Sequence, residues 1–196
     1  MTTESPFKLT MPVAESDLLR ATYKGAGVIL EYGTGGSTLV AAQSATTAVF
    51  GVESDHAWFL NMEKWFTDNP PKIPVHLHYG NIGPTGKWGV PKAKANAPRW
   101  PGYALAVWDR ADFAHPDVVL VDGRFRLACM LTTLFRITRP VRLLCDDYLS
   151  RAAYHPFELL VGRPEMTGRM AAFTLTPQSL PADQMGWIIA AFSDPA

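Results

Sequence analysis

Short, mainly apolar runs alternate with helix-like stretches over most of the chain. The apolar runs predict strands over residues 28–32, 48–53, 75–79, 118–121, 141–145 and 170–176. Apolar residues at helical spacing between these runs predict helices over 12–23, 55–66 and 127–137, and a further helix that begins at Ser37. Strands and helices that alternate in this way indicate a parallel sheet with helices on both faces.

The expected fold class is therefore α/β, with one doubly wound, mostly parallel sheet of six or seven strands. A chain of 196 residues is long enough for one such domain and too short for two, so residues 1–196 are predicted to form a single domain.

Residues 80–109 interrupt this alternation. The segment contains Trp88, Trp100 and Trp108, which are three of the six tryptophans, and it shows no clear period. A long stretch without periodicity inside a compact domain is usually functional or disordered. Tryptophan side chains normally pack against another surface, which argues against disorder. Two interpretations stay open: a lid that covers a substrate, or a packed excursion over the sheet edge.

The charge balance limits the classes of partner. Lys and Arg number 18, and Asp and Glu also number 18, so no global field favours nucleic acid or an anionic membrane. No apolar run approaches the ~20 residues that cross a bilayer, and residues 1–11 carry no apolar signal-peptide core. We therefore expect a cytoplasmic protein with no nucleic-acid or membrane partner, and the oligomeric state stays open.

A glycine-rich turn follows the first strand and carries the most specific chemistry. The strand ends on Glu31-Tyr32, and Gly33-Thr34-Gly35-Gly36-Ser37 lead into a helix. The second strand ends on Glu53, twenty residues after Gly33. Glycines let a ligand approach the backbone closely, and a carboxylate at the next strand end can accept hydrogen bonds from ribose hydroxyls.

This arrangement resembles motifs I and II of the class I S-adenosylmethionine-dependent methyltransferases, which have a Rossmann-like fold. Glu31, Gly33 and Gly35 match the first motif and Glu53 matches the second, whereas the third glycine of the usual pattern falls on Ser37 and Gly36 stands one place early. A nicotinamide fingerprint fits less well, because its third glycine would be Thr38. The resemblance implies that the following residues bind S-adenosylmethionine: Glu31, Tyr32, Gly33, Thr34, Gly35, Gly36, Ser37, Glu53, Ser54, Asn81 and Asp122.

Three carboxylates follow the fourth and fifth predicted strands. Asp122 comes directly after residues 118–121, and Asp146 and Asp147 come directly after residues 141–145. Neighbouring parallel strands end at one edge of a sheet, so these side chains should converge beside the cofactor turn. Like charges this close need a cation, an arginine or a shared proton.

Three explanations of the carboxylates stay open. Hard oxygen ligands suit Mg²⁺, and the layout is similar to that of the catechol-type, metal-dependent O-methyltransferases, with Asp147 in place of their Asn. Arg124, Arg126 or Arg151 could instead pair with the carboxylates in a substrate-binding network, and Asp122 could simply cap the following helix. Asp122 and Asp147 are the candidate catalytic residues.

The resemblance implies an enzyme that transfers a methyl group from S-adenosylmethionine to an oxygen of a small molecule or sugar. Arg124, Arg126 and Trp88 are the candidate acceptor-binding residues. Asp122, Asp146 and Asp147 are candidate ligands if Mg²⁺ takes part. Two other hypotheses stay open: a non-catalytic cofactor-binding module of the same fold, and a nicotinamide-dependent oxidoreductase.

Overall fold

The computed structural model describes residues 5–195. Within these residues the strands are β1 (Val28–Tyr32), β2 (Ala48–Glu53), β3 (Val75–Tyr79), β4 (Val118–Val121), β5 (Val141–Cys145), β6 (Glu165–Thr167) and β7 (Met170–Leu175). The α-helices are α1 (Val13–Tyr23), α2 (Gly36–Ser44), α3 (His56–Asp68), α4 (Pro101–Leu105), α5 (Arg126–Arg136), α6 (Glu158–Val161) and α7 (Met185–Ala191). None of these helices is long and apolar enough to span a membrane.

The strands form one sheet in the order β3-β2-β1-β4-β5-β7-β6. Strands β1 to β5 are parallel to one another, and β7 runs antiparallel to both β5 and β6. The mostly parallel, doubly wound α/β fold expected from the sequence is confirmed. The strand order reverses between β1 and β4, and in open α/β sheets the ligand crevice lies outside the carboxyl ends of the strands at that point.

Two apolar layers cover the sheet and explain why its central strands are buried on both faces. One layer joins α1 and α2 to the sheet through residues such as Leu19, Tyr23 and Val40. The other joins α4, α5 and α7 to the opposite face through residues such as Tyr103 and Leu131. Strand β4, Val-Val-Leu-Val, is buried along its whole length. Wholly apolar short runs are typical of such doubly covered strands, which is why the sequence places them well.

The segment 80–109 both packs into the core and reaches the sheet edge. Trp100, Tyr103 and Trp108 are buried in the apolar layer around α5. Trp88, by contrast, is 78% exposed and has a left-handed backbone with φ of 61°. Its neighbour Gly89 stands over the end of β2, since the Ser54 hydroxyl donates a hydrogen bond of 3.4 Å to the Gly89 carbonyl. The burial of these side chains agrees with a packed excursion, and a lid over a substrate stays a prediction.

Three local features differ from the sequence-based expectation. Helix α2 begins at Gly36 with Gly35 as its N-cap, so Ser37 lies in the first turn and is not the cap. Strand β6 has only three residues, which are polar or exposed and carry no alternating pattern. Helix α7 is seven residues long and lies in a part of the chain where no element was predicted.

Candidate functional site

A cavity of about 850 Å³ opens at the carboxyl ends of β1, β2, β4 and β5. It lies where the strand order reverses, as expected for a ligand crevice in an open α/β sheet. The predicted site residues that line it are Gly33, Thr34, Gly35, Gly36, Ser37, Glu53, Ser54, Trp88, Asp122, Arg124, Arg126, Asp146 and Asp147.

Three residues that the resemblance assigned to the cofactor lie outside the cavity wall. The Tyr32 hydroxyl is buried on the core side of β1, where it donates to the Ala104 carbonyl at 2.7 Å. Asn81 is exposed, and its Oδ1 accepts a hydrogen bond of 3.0 Å from the Gly83 amide. Glu31 is fully buried beneath the turn. The assignment of these three residues to the cofactor stays a prediction.

The glycines of the turn meet different physical requirements. Gly33 has φ of 93°, and a side chain there would bring Cβ within 2.7 Å of the Gly123 Cα on the neighbouring β4 loop. Gly35 has an extended backbone with φ of 175°, and a Cβ added to it would meet nothing within 4 Å. A side chain at position 33 would thus collide with the protein, whereas a side chain at position 35 would extend into open space in the cavity.

Gly36 is explained by the chain that crosses it. A Cβ on Gly36 would overlap the backbone of Lys8 and Leu9, so only glycine lets this N-terminal segment pass over the turn. The segment is anchored by Phe7, which is buried and packs edge-on against Trp58 with ring centroids 4.9 Å apart. The displaced third glycine of the motif therefore reflects a packing contact of the N-terminal segment.

Trp58 also fixes the turn directly. Its indole Nε1 donates a hydrogen bond of 2.8 Å to the Thr34 carbonyl. It lies in the first turn of α3, where its backbone amide donates to the Asp55 carboxylate at 3.0 Å. The periodic pattern of α3 indicated a helix but gave no signal that this residue faces the site.

Glu31 holds the turn from below. One carboxylate oxygen accepts from the Tyr23 hydroxyl at 2.7 Å and the other accepts from the Thr38 hydroxyl at 2.5 Å. The Thr38 hydroxyl in turn accepts from the Gly35 amide at 2.9 Å. Burial raises the pKa of Glu31 to about 7 despite these hydrogen bonds, and the negative charge of Asp122 adds to the increase.

Glu31→Gln is expected to change the pH dependence of stability. The unfolded carboxyl titrates near 4.5 and the folded one near 7, so the native state binds more protons in this interval and loses stability as the pH rises through it. The shift corresponds to about 3 kcal/mol at full ionisation. The free energy of unfolding can be measured in urea at pH 5 and at pH 8. From pH 5 to pH 8 it should fall by up to about 3 kcal/mol more in the unsubstituted protein than in Glu31→Gln.

The exposed Glu63→Gln variant on α3 is the matched control and should follow the unsubstituted protein at both pH values. Asp122 and Glu53 also have raised pKa values, but both remain in the two proteins compared. If the free energy of unfolding changed equally with pH in Glu31→Gln and in the unsubstituted protein, the raised pKa of Glu31 would be contradicted.

Glu53 ends β2 and lies at the cavity wall. One carboxylate oxygen accepts from the Ser54 and Asp55 amides at 2.7 and 2.8 Å, and the other accepts from the amide and hydroxyl of Thr34 at 3.2 and 3.1 Å. Burial raises the pKa of Glu53, while these backbone and hydroxyl donors lower it. The carboxylate ties the end of β2 to the glycine turn and presents its acceptors at the cavity.

The three aspartates form one cluster with two arginines. Asp122, Asp146 and Asp147 each offer an oxygen within 4.8 Å of the others. The Arg126 guanidinium contacts Asp122 at 3.0 Å and Asp147 at 3.3 Å, and it donates to the backbone carbonyl of Asp146. Arg169 binds Asp146 through Nε and Nη2 at 3.0 and 2.7 Å and contacts Asp147 at 3.1 Å. Of the three explanations left open by the sequence, this geometry favours the Asp–Arg network.

The arginines change how the carboxylates can act. Arg126 lies among them and is only 4% exposed, so a divalent ion would have to displace a buried guanidinium. The donor set therefore does not fit Mg²⁺ while Arg126 is in place. Burial raises the pKa of Asp122 to about 6, against the influence of Arg126, and the charges of Asp146 and Asp147 raise it further. Asp147 also has a left-handed backbone with φ of 55°, a conformation that Asp tolerates better than most residues.

Arg169 had no sequence signal and reaches the cluster through topology. It stands between β6 and β7, and the antiparallel direction of β7 brings its first residues to the edge where the parallel strands end. The backbone amide of Arg169 donates to Glu15 of α1 at 2.9 Å. Residues near each other at this edge can therefore be far apart in sequence.

Solved structures with the same architecture were found, although no family model and no curated protein matches the chain. A methyltransferase-like protein from Silicibacter pomeroyi DSS-3 is 49% identical, with a TM-score of 0.93 over 96% of this chain and 98% of that one. An S-adenosylmethionine-dependent O-methyltransferase from Thermotoga maritima is 11% identical, with a TM-score of 0.55 over 92% and 70%. A candidate rRNA methylase from Clostridium thermocellum is 12% identical, with a TM-score of 0.53 over 87% and 100%. The latter two show a shared fold only.

Proposed function

The chain belongs to the family of class I S-adenosylmethionine-dependent methyltransferases, and from this premise we propose that it methylates an oxygen atom of a small molecule or sugar. The observation that carries the proposal is one cavity that holds the glycine turn, Glu53 and the carboxylate of Asp122. Family membership also removes the main support for a nicotinamide-dependent oxidoreductase.

The residues of the turn fit the cofactor that the family uses. The backbone of Gly35 borders open space in the cavity, and the Glu53 carboxylate lies beside it with acceptors suited to ribose hydroxyls. We assign the binding of S-adenosylmethionine to Gly33–Ser37 and Glu53, with Glu31 supporting the turn from below. When bound, S-adenosylmethionine supplies an activated methyl group to an incoming nucleophile.

The protein's own chemical task is to position the acceptor and take its proton. Asp122 ends β4 at the cavity wall, and its pKa of about 6 makes it a carboxylate near neutral pH that is more basic than an ordinary aspartate. Arg126 contacts both Asp122 and Asp147 and so fixes the orientation of both side chains. We assign the role of general base to Asp122 and the role of a positioning residue to Asp147.

The cavity favours a small acceptor. Its volume of about 850 Å³ is in the range of sites for small molecules. Lys and Arg equal Asp and Glu at 18 each, which gives the chain no general attraction for a polyanion. The exposed indole of Trp88 stands at the cavity wall, where it can stack on a sugar or an aromatic ring.

Calorimetry with S-adenosylhomocysteine, S-adenosylmethionine and NAD tests the proposal. We expect the first two to bind and NAD not to bind. Glu53→Gln should weaken the binding of S-adenosylhomocysteine by about 1–3 kcal/mol, because one carboxylate acceptor is lost. EDTA should change neither binding nor formation of S-adenosylhomocysteine with hydroxylated small molecules and sugars, since Arg126 balances the carboxylates. Binding without turnover on any hydroxylated acceptor would favour the non-catalytic module, and failure of both adenosyl ligands to bind would refute the proposal.

A further inference from the structure

Two arginines on the cavity wall have no acidic partner within residues 5–195. Arg124 lies just after β4 and Arg151 lies in the loop after β5, and both line the cavity. Asp122, Asp146 and Asp147 are already paired with Arg126 and Arg169. Among the ion pairs formed within residues 5–195, none includes Arg124 or Arg151. Of the residues that the structure describes, six basic and five acidic ones line the cavity, so the fully ionised wall carries a small excess of positive charge.

Two buried donors in this region also lack an acceptor. The Nε atom of Arg124 and the hydroxyl of Tyr154 are both buried and form no hydrogen bond with any residue that the structure describes. Tyr154 as a whole is only 2% exposed. A buried donor left without an acceptor is destabilising, so each of these two atoms calls for an explanation.

The charged groups of this region influence one another's pKa values. Burial lowers the pKa of Arg124, and the positive charges of Arg126 and Arg151 lower it further. Burial raises the pKa of Tyr154, and the charges of Arg126, Arg151 and Arg124 act in the opposite direction. The positive charges of Arg126 and Arg151 therefore act unfavourably on the charge of Arg124. An anion bound beside Arg124 and Arg151 would relieve this repulsion.

We infer that Arg124 and Arg151 bind an anionic group, a carboxylate or a phosphate, on the methyl acceptor. The inference rests on the proposed function, since it assigns the substrate class of the same cavity. Guanidinium groups bind both kinds of oxyanion through paired hydrogen bonds.

The two arginines follow strands on the side of the sheet that carries the assigned general base. Arg124 and Arg151 follow β4 and β5, which lie on one side of β1, whereas Glu53 ends β2 on the other side. Asp122, the assigned general base, belongs to the β4 side as well. The anionic group of the acceptor would therefore be held on the same side as the base that takes its proton.

Titration of inorganic phosphate and of benzoate tests this site, each into the free protein and into protein saturated with S-adenosylhomocysteine. The double variant Arg124→Gln/Arg151→Gln should bind phosphate or benzoate at least about tenfold more weakly than the unsubstituted protein does. Its affinity for S-adenosylhomocysteine should change by less than about threefold. Arg163→Gln, an exposed arginine outside the cavity, is the matched control and should change neither affinity.

The outcomes separate the anion site from the proposed function. If the double variant loses S-adenosylhomocysteine and the loaded protein binds no anion, the two arginines serve the carboxylate of the cofactor and the inference is overturned. Failure of both anions to bind the unsubstituted protein, free or loaded, overturns it as well. If S-adenosylhomocysteine does not bind while arginine-dependent anion binding persists, the anion site stands and the proposed function falls. The preferred probe, phosphate or benzoate, identifies the acceptor's anionic group.

Discussion

Replacing Arg126 with methionine is expected to lower the free energy of unfolding by about 3–5 kcal/mol, because removal of one partner leaves buried charges uncompensated. The Arg126 guanidinium is 4% exposed and contacts the carboxylates of Asp122 and Asp147. It also donates to three backbone carbonyls, those of Asp122, Gly123 and Asp146. The substitution therefore removes the link between the ends of β4 and β5 as well as a charge.

The size of this loss should depend on pH. Arg126 lowers the pKa of Asp122, so without it the folded pKa should rise above about 6, while the unfolded carboxyl still titrates near 3.8. A group whose folded pKa is raised makes the native state less stable as the pH rises. Urea unfolding should thus show a smaller deficit for Arg126→Met at pH 5 than at pH 8.

A surface ion pair provides the control. Lys64 pairs with Asp68 at 2.8 Å on α3 and is 75% exposed, so Lys64→Met should cost less than about 1 kcal/mol at either pH. A loss below about 1 kcal/mol for Arg126→Met, or an equal loss at pH 5 and pH 8, would show that the carboxylate cluster does not depend on this guanidinium.

The sequence predicts the central strands well because they are buried on both faces. A doubly buried strand must be apolar along its length, and β4 shows such a run with the bounds that the structure gives. Strand β6 lies at the sheet edge and has the exposed residues Glu165 and Met166, so burial imposes no pattern on it. What the sequence predicts is the part of the fold that burial determines.

The candidate site is predicted to a lesser degree, for a related reason. Asp122 and Asp147 could be placed together because each follows a strand whose neighbours can be inferred. Arg169 reaches the same cluster only because β7 is antiparallel, and Phe7 fixes the N-terminal segment over Gly36 through a contact with α3. Such contacts between distant parts of the chain leave no local spacing that a sequence pattern could show.

Gly35→Val is expected to abolish cofactor binding, with S-adenosylhomocysteine affinity falling at least about 100-fold, or about 2.7 kcal/mol. The backbone of Gly35 is extended, with φ of 175°, so valine can adopt its conformation without a left-handed strain. A Cβ there meets no protein atom within 4 Å, and the residue lines the cavity. The branched side chain would therefore fill space that the ligand needs while the protein around it stays in place.

This position separates ligand binding from folding more cleanly than its neighbours do. Gly33 touches the β4 loop and Gly36 touches the N-terminal segment, so a side chain at either would disturb the protein itself. Urea unfolding of Gly35→Val should stay within about 1 kcal/mol of the unsubstituted protein while calorimetry detects no S-adenosylhomocysteine. Gly186→Val in α7, where an added Cβ also meets nothing within 4 Å, should bind normally. Normal affinity in Gly35→Val would mean that the turn does not face the ligand, and the assignment of the cofactor to this cavity would have to be abandoned.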